Sequence, residues 1–111
     1  MSEKIDIPID IYDSEQEIVI IAPLGGVNKK SIEVFLERTD LFIKGERVLP
    51  DLKDTLEAVK QECFRGSFSN TIPLPQNVYF DKIQTKFTGE NILLIIVPKI
   101  IIPEKLKIEL D

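Results

Sequence analysis

Along most of this chain apolar and polar residues alternate with a period of two, the spacing that puts every second side chain on one face of a β-strand. Ile5, Ile7, Ile9 and Ile11 alternate with Asp6, Pro8 and Asp10. Pro8 has no N–H to give to a ladder, so this first strand is expected at a sheet edge. Asp13-Ser14-Glu15-Gln16 are turn residues and residues 18–22 form a nearly continuous apolar run, which together predict a hairpin. After Pro23-Leu24-Gly25-Gly26, a third strand is expected where Ile32, Val34 and Leu36 alternate with Glu33, Phe35 and Glu37. Thr39-Asp40 is expected to turn the chain into a fourth, with Leu41, Ile43 and Gly45 on one side and Phe42 and Lys44 on the other.

Residues 48–61 are ambiguous, because Leu52, Leu56, Val59 and Cys63 fall at helical spacing behind Pro50-Asp51, where Asp51 is placed to cap a short helix. Beyond them Phe64, Phe68 and Ile72 share one face of a fifth strand that ends at Pro73-Leu74-Pro75, where two prolines stop regular pairing. Residues 81–87, with Ile83, Thr85 and Phe87 on one side, turn through Thr88-Gly89-Glu90-Asn91 into the apolar residues 92–97, a closing hairpin. Strands recurring about every ten residues with turn signals between them predict an all-β fold, a two-layer antiparallel β-sandwich of immunoglobulin-like type.

Composition strengthens that expectation. The apolar set is dominated by isoleucine, 18 Ile against 11 Leu and 7 Val, and β-branched side chains favour pleated strands. A length of 111 residues suits one domain. The net charge of -5 supplies no basic footprint for nucleic acid or anionic lipid. The start of the chain shows no export signal, and residues 92–97 are far shorter than the roughly 20 needed to cross a bilayer. One cysteine and no glycosylation acceptor make a reducing cytoplasm the expected location.

Chemistry is then limited by what is missing. The sequence has no histidine, which removes the commonest general base, the usual nucleophile pairs and the commonest transition-metal ligand. Gly25-Gly26 is not followed by Gly-Lys-Ser/Thr, so it reads as a turn and not as a phosphate loop. Cys63 is expected to be a small buried hydrophobe. The carboxylates of Glu15 and Glu17, Glu33 and Glu37, and Asp51 and Asp54 are expected to face solvent. No catalytic residue, cofactor or metal site is expected.

From residue 8 to residue 99 the order of short motifs resembles the α-crystallin domain of the small heat-shock proteins, the Hsp20 family. Ile9-Asp10-Ile11-Tyr12-Asp13 is similar to the family's opening strand, and Leu24-Gly25-Gly26-Val27 with Ile32-Glu33-Val34 to its Leu-Pro-Gly-Val turn and next strand. Leu41-Phe42-Ile43-Lys44-Gly45-Glu46-Arg47 resembles its Leu-x-Ile-x-Gly-Glu-Arg strand. Glu62, Gly66-Ser67-Phe68, Ile72-Pro73-Leu74-Pro75 and the segment from Ile92-Leu93 to Val97-Pro98-Lys99 resemble the elements that follow it. Departures are Gly25 in place of proline, Asn70 in place of an arginine that contributes a charge contact at the subunit interface, Thr85 in place of alanine, and one extra residue in the turn of residues 88–91.

The resemblance implies an α-crystallin domain over residues 1–99, a reaching loop over 46–62 and a C-terminal tail over 100–111. It favours, against the local helical spacing, a loop whose short strand near residues 56–60, carrying Leu56 and Val59, pairs with the edge near Ile9 and Ile11 of a neighbouring subunit. It further implies an ATP-independent chaperone that holds unfolding client proteins in a groove walled by Val34, Leu36, Ile83 and Phe87. The plain alternative is that these four side chains fill the core. Ile108-Glu109-Leu110 resembles the family's Ile-x-Ile/Val docking motif, with Ile100 and Ile102 as a second candidate pair of the same spacing and a frayed terminus as the plain alternative. Because the chain begins close to the first strand, homodimers are expected in preference to large shells. Two competing readings are a p23-like co-chaperone docking on an Hsp90-type ATPase, which would lack the loop and the Gly-x-Phe strand, and a ligand-binding or structural sandwich of another class.

Overall fold

The computed structural model describes residues 5–101, 105 and 107–111. Seven strands form: β1 (Asp10–Asp13), β2 (Glu17–Pro23), β3 (Glu33–Glu37), β4 (Asp40–Arg47), β5 (Gly66–Pro73), β6 (Gln84–Phe87) and β7 (Ile92–Pro98). They make one four-stranded sheet of order β1-β2-β7-β6 and one three-stranded sheet of order β3-β4-β5, with every strand pair antiparallel. The two-layer all-β architecture is the one the alternation predicts.

The core lies where the inward residues of the two sheets meet. Ile20 and Ala22 of β2, Leu41 and Ile43 of β4, Phe68 of β5, and Ile95 and Val97 of β7 are at most 1% exposed. Each belongs to an alternating series, so one residue of slip in register would turn a whole series outward. Gly45 stands opposite Phe68 across the β4–β5 ladder. A Cβ there would lie 2.8 Å from the phenyl Cζ, so the glycine makes room for the largest fully buried side chain.

The first strand departs from expectation. The alternating residues 5–11 do not form one strand, because Pro8 breaks the run and the halves join different sheets. Ile5 makes a parallel bridge with Phe68 beside β5, whereas β1 starts at Asp10 and pairs with β2 through Asp10↔Ile21 to Asp13↔Ile18. Ile7 is buried while Ile5 and Ile11 are 55% and 52% exposed, so one core-facing strip does not exist. The β1–β2 hairpin does form, and the Ser14 hydroxyl accepts from the N–H groups of Gln16 and Glu17 in its turn.

Three boundaries also move. The β3–β4 turn is Arg38-Thr39, one residue earlier than expected, with Arg38 at φ +60° and Asp40 already in β4. Phe80–Lys82 is a single 3-10 turn, which delays β6 to Gln84. Phe64 precedes β5, which begins at Gly66 with φ +98°.

Residues 48–65 contain neither helix nor strand, and residues 50–63 are all exposed. The helical spacing of Leu52, Leu56 and Val59 therefore fails as a helix signal, since no core face lies opposite to reward it. The strand near residues 56–60 is likewise not formed within the single chain. Cys63 is exposed and not buried, because it sits on this loop without core neighbours. The carboxylate pairs of Glu15 and Glu17, Glu33 and Glu37, and Asp51 and Asp54 are all exposed.

Candidate functional site: an apolar groove between two sheet edges

The sandwich is open along one side. There β3, an edge of the three-stranded sheet, faces β6, an edge of the four-stranded sheet, and a groove of about 630 Å³ runs between them. Val34 and Leu36 line it from β3, Ile83 and Phe87 from the β6 side, and the buried Leu41 and Leu93 border it from below. The structure thus brings the four sequence-predicted wall residues together. All four are half-buried and pack against the core, so each serves the interior and the groove at once.

The groove exists because β3 and β6 pair on one side only. Inward residues of an edge strand cannot be fully covered by the opposite sheet where that sheet also ends. Among the described residues no strand pairs with the other side of β3 or β6, the arrangement that accepts an added strand. An apolar lining beside two edges suits an extended segment whose alternate side chains are apolar.

One end of the groove carries charge. Lys29 lies in the 3-10 turn Lys29–Ser31 that precedes β3, and its Nζ sits 4.7 Å from the centroid of Phe87 at the end of β6. This cation–π contact was not legible in the sequence, where Lys29 and Phe87 are 58 positions apart. On the outer face of the three-stranded sheet, Phe35 and Phe42 stack at 5.1 Å across the β3–β4 ladder with Lys44 over Phe35.

The remaining predicted residues lie apart from the groove. Leu56 is 61% and Val59 100% exposed on the long loop. Ile108 and Leu110 are 80% and 96% exposed, and residues 107–111 contain neither helix nor strand. The tail leaves the body at a fixed point: Lys99 N–H donates to the Gln16 carbonyl, Lys99 Nζ pairs with Asp13, and Ile100 N–H donates to the Asn77 carbonyl. Ile100 ends this anchored stretch, and Ile102 lies outside the described residues.

Asn70 has a role that sequence reasoning missed. It is 5% exposed, and its side-chain amide donates to the Ile7 carbonyl and accepts from the Ile7 N–H, both at 2.8 Å. A polar residue on the inward face of β5, between Phe68 and Ile72, was the available signal, since a buried amide requires partners.

Among the described residues no group of three or more metal-ligating side chains occurs, and no helix is long and apolar enough to cross a membrane.

Comparison with known proteins agrees with this architecture. The Hsp20/alpha crystallin family profile matches residues 10–110. The probable 15 kDa heat shock protein of Leptospira interrogans is 31% identical over 82% of this chain and 68% of its own length. The 18 kDa antigen 2 of Mycobacterium avium is 33% identical over 82% of this chain and 64% of its own. This chain therefore spans about two thirds of the length of these relatives. Among solved structures, heat shock protein 16.0 from Schizosaccharomyces pombe superposes with a TM-score of 0.76 at 25% identity, covering 97% of this chain and all of that one. A small heat-shock protein from Xylella fastidiosa, described as forming a distinct high-order structure, superposes with a TM-score of 0.75 at 28% identity over 94% of each chain.

Proposed function

Because this chain belongs to the Hsp20/alpha crystallin family, which consists of ATP-independent chaperones and not enzymes, we propose that it acts as a holdase, binding partly unfolded proteins in the groove between β3 and β6 and limiting their aggregation. The observation that carries this reading is the groove itself, with Val34, Leu36, Ile83 and Phe87 gathered beside two unpaired strand edges. An unfolding client offers extended apolar segments. Such a segment gains backbone pairing from an edge and buries its alternate side chains against the groove wall, with no nucleotide required.

In this reading residues 1–99 form the chaperone domain and residues 100–111 a tail. Ile108 and Leu110 point the same way in an extended strand, so they enter neighbouring sites of a groove while Glu109 faces water. The tail and the client then compete for one surface. The expected loop of residues 46–62 is shifted, since Glu46 and Arg47 belong to β4 and the irregular segment is 48–65. In this reading that segment serves self-association, its exposed Leu56 and Val59 reaching a second copy, where the edge strand β1, with Ile11 and Tyr12 exposed, is available to pair. The partners are therefore unfolding proteins and further copies of the chain in a homodimer or larger assembly, in the cytoplasm, without cofactor, nucleic acid or membrane.

The test is aggregation of an unrelated client, induced by heat or reduction, at near-stoichiometric chaperone without nucleotide. The full chain should slow it, and removal of residues 108–111 should raise client bound per subunit while lowering assembly mass. If both proteins leave the aggregation of several clients unchanged, the holdase reading is wrong. Recovery of one Hsp90-type ATPase in a pull-down would instead favour a docking role.

A further inference from the structure

At the opposite edge of the three-stranded sheet from β3, residues 5–7 are attached partly through the backbone and partly through one side chain. Ile5 makes its parallel bridge to Phe68 and its carbonyl accepts from the Ser69 N–H at 3.2 Å. Two residues on, Asn70 takes over from the backbone. Its amide group donates to the Ile7 carbonyl and its carbonyl oxygen accepts from the Ile7 N–H, so one side chain holds both backbone polar groups of one residue. Only Ile7 sends its side chain inward, 4% exposed within the core cluster, whereas Ile5, Asp6 and Pro8 are exposed.

Recognition at this place therefore reads a backbone and one apolar side chain, and ignores the neighbours. Any extended segment with a branched aliphatic residue at the central position satisfies it. The hold is also short, because Pro8 has no N–H and the pairing cannot continue past it. A segment whose described residues are joined to β5 by one bridge, one backbone bond and the two Asn70 bonds opens at lower cost than the sandwich does. On opening it leaves a buried amide without partners and an apolar pocket without a side chain, and both are relieved by recapture of a segment of the same kind.

We propose that the cleft along β5 is a second peptide-binding site, filled at rest by residues 5–7 and taking in exchange an extended segment of an unfolding polypeptide with Ile, Val or Leu where Ile7 sits. Asn70 is the residue that recognises the backbone. The identity of the partner rests on the holdase reading; the site itself does not. It is separate from the groove between β3 and β6, since β4 lies between the two edges.

The test uses the full chain with Ile7→Ser, which keeps residues 5–7 attached but weakens their hold. A fluorescent peptide of residues 4–10 should bind this variant at least tenfold more tightly than it binds the wild-type chain. The same peptide with aspartate at the position of Ile7, or the variant carrying Asn70→Leu in addition, should lose that gain, and Val34→Asp in the other groove should leave it intact. Equal binding of the aliphatic and aspartate peptides, or binding indifferent to Asn70, overturns the proposal. A second reading needs no variant: with a heat-unfolded client present, the Ile7 amide of the wild-type chain should exchange hydrogen at least tenfold faster as its segment is displaced. Client protection with Ile7 exchange unchanged refutes the second site and leaves the holdase reading standing. Peptide capture without any client protection does the reverse.

Discussion

Aliphatic side chains of the same kind meet opposite fates in two regions of this molecule. In the sandwich, Ile20, Ile43 and Ile95 are fully buried; on the loop and the tail, Leu52, Val59, Ile108 and Leu110 are between 73% and 100% exposed. The difference is one of neighbours and not of hydrophobicity. A strand such as β4, paired on both sides, presents its alternate residues to a second sheet, whereas residues 50–63 have no sheet opposite them. Apolar surface left out of water's reach only by association is a typical mark of an interaction segment. The groove stands between these extremes, its wall residues half-buried against the core and half available to a partner.

The comparison is sharpest at Phe68, 1% exposed, against Val59, 100% exposed. Phe68→Ala removes the side chain that packs on Gly45 and should cost about 3–5 kcal/mol. Val59→Ala should change stability by less than about 0.5 kcal/mol. Urea unfolding at one fixed protein concentration measures both, because the midpoint of any chain that self-associates depends on concentration. Comparable losses from the two substitutions would show that the loop is already packed on something in solution.

Removing residues 51–59 should leave the sandwich intact and abolish the dimer, giving monomers by sedimentation with an unchanged far-UV spectrum. A shortened chain that still sediments as a dimer would show that the loop does not join subunits. The smallest effect on folding is expected at the tail. Ile108→Ala with Leu110→Ala should leave the urea midpoint unmoved, while lowering assembly mass and raising tail mobility by NMR. If neither mass nor mobility changes, the two side chains dock nowhere.

Much of this fold was legible because alternation is a local property. The period of two at Ile32, Val34 and Leu36 and at Leu41, Ile43 and Gly45 marks strands and their faces without reference to any partner, and the continuous apolar run of residues 92–97 marks a strand without saying which face is buried. Turn chemistry located the hairpins to within a residue or two, the error at Arg38-Thr39 arising because a non-glycine residue there takes a positive φ. The four groove-wall residues could be named in advance only through resemblance to a family. Periodicity alone gives the same signature for a side chain that lines a groove and one that fills a core.

Sequence by itself thus determined the strand segments, their inward faces, the all-β class and the absence of histidine-based chemistry. Tertiary structure alone decided which strands are neighbours, which edges stay open and what becomes of residues between strands. The pairing of β2 with β7 joins residues 69 to 81 positions apart, and the contacts of Lys29 with Phe87 and of Ile7 with Asn70 span 58 and 63 positions. Residues 5–11 show the limit most clearly. Their alternation is regular, yet Pro8 sends one half to β5 and the other to β2, because each half gains its stability from a partner strand that lies far along the chain and leaves no trace in the local pattern.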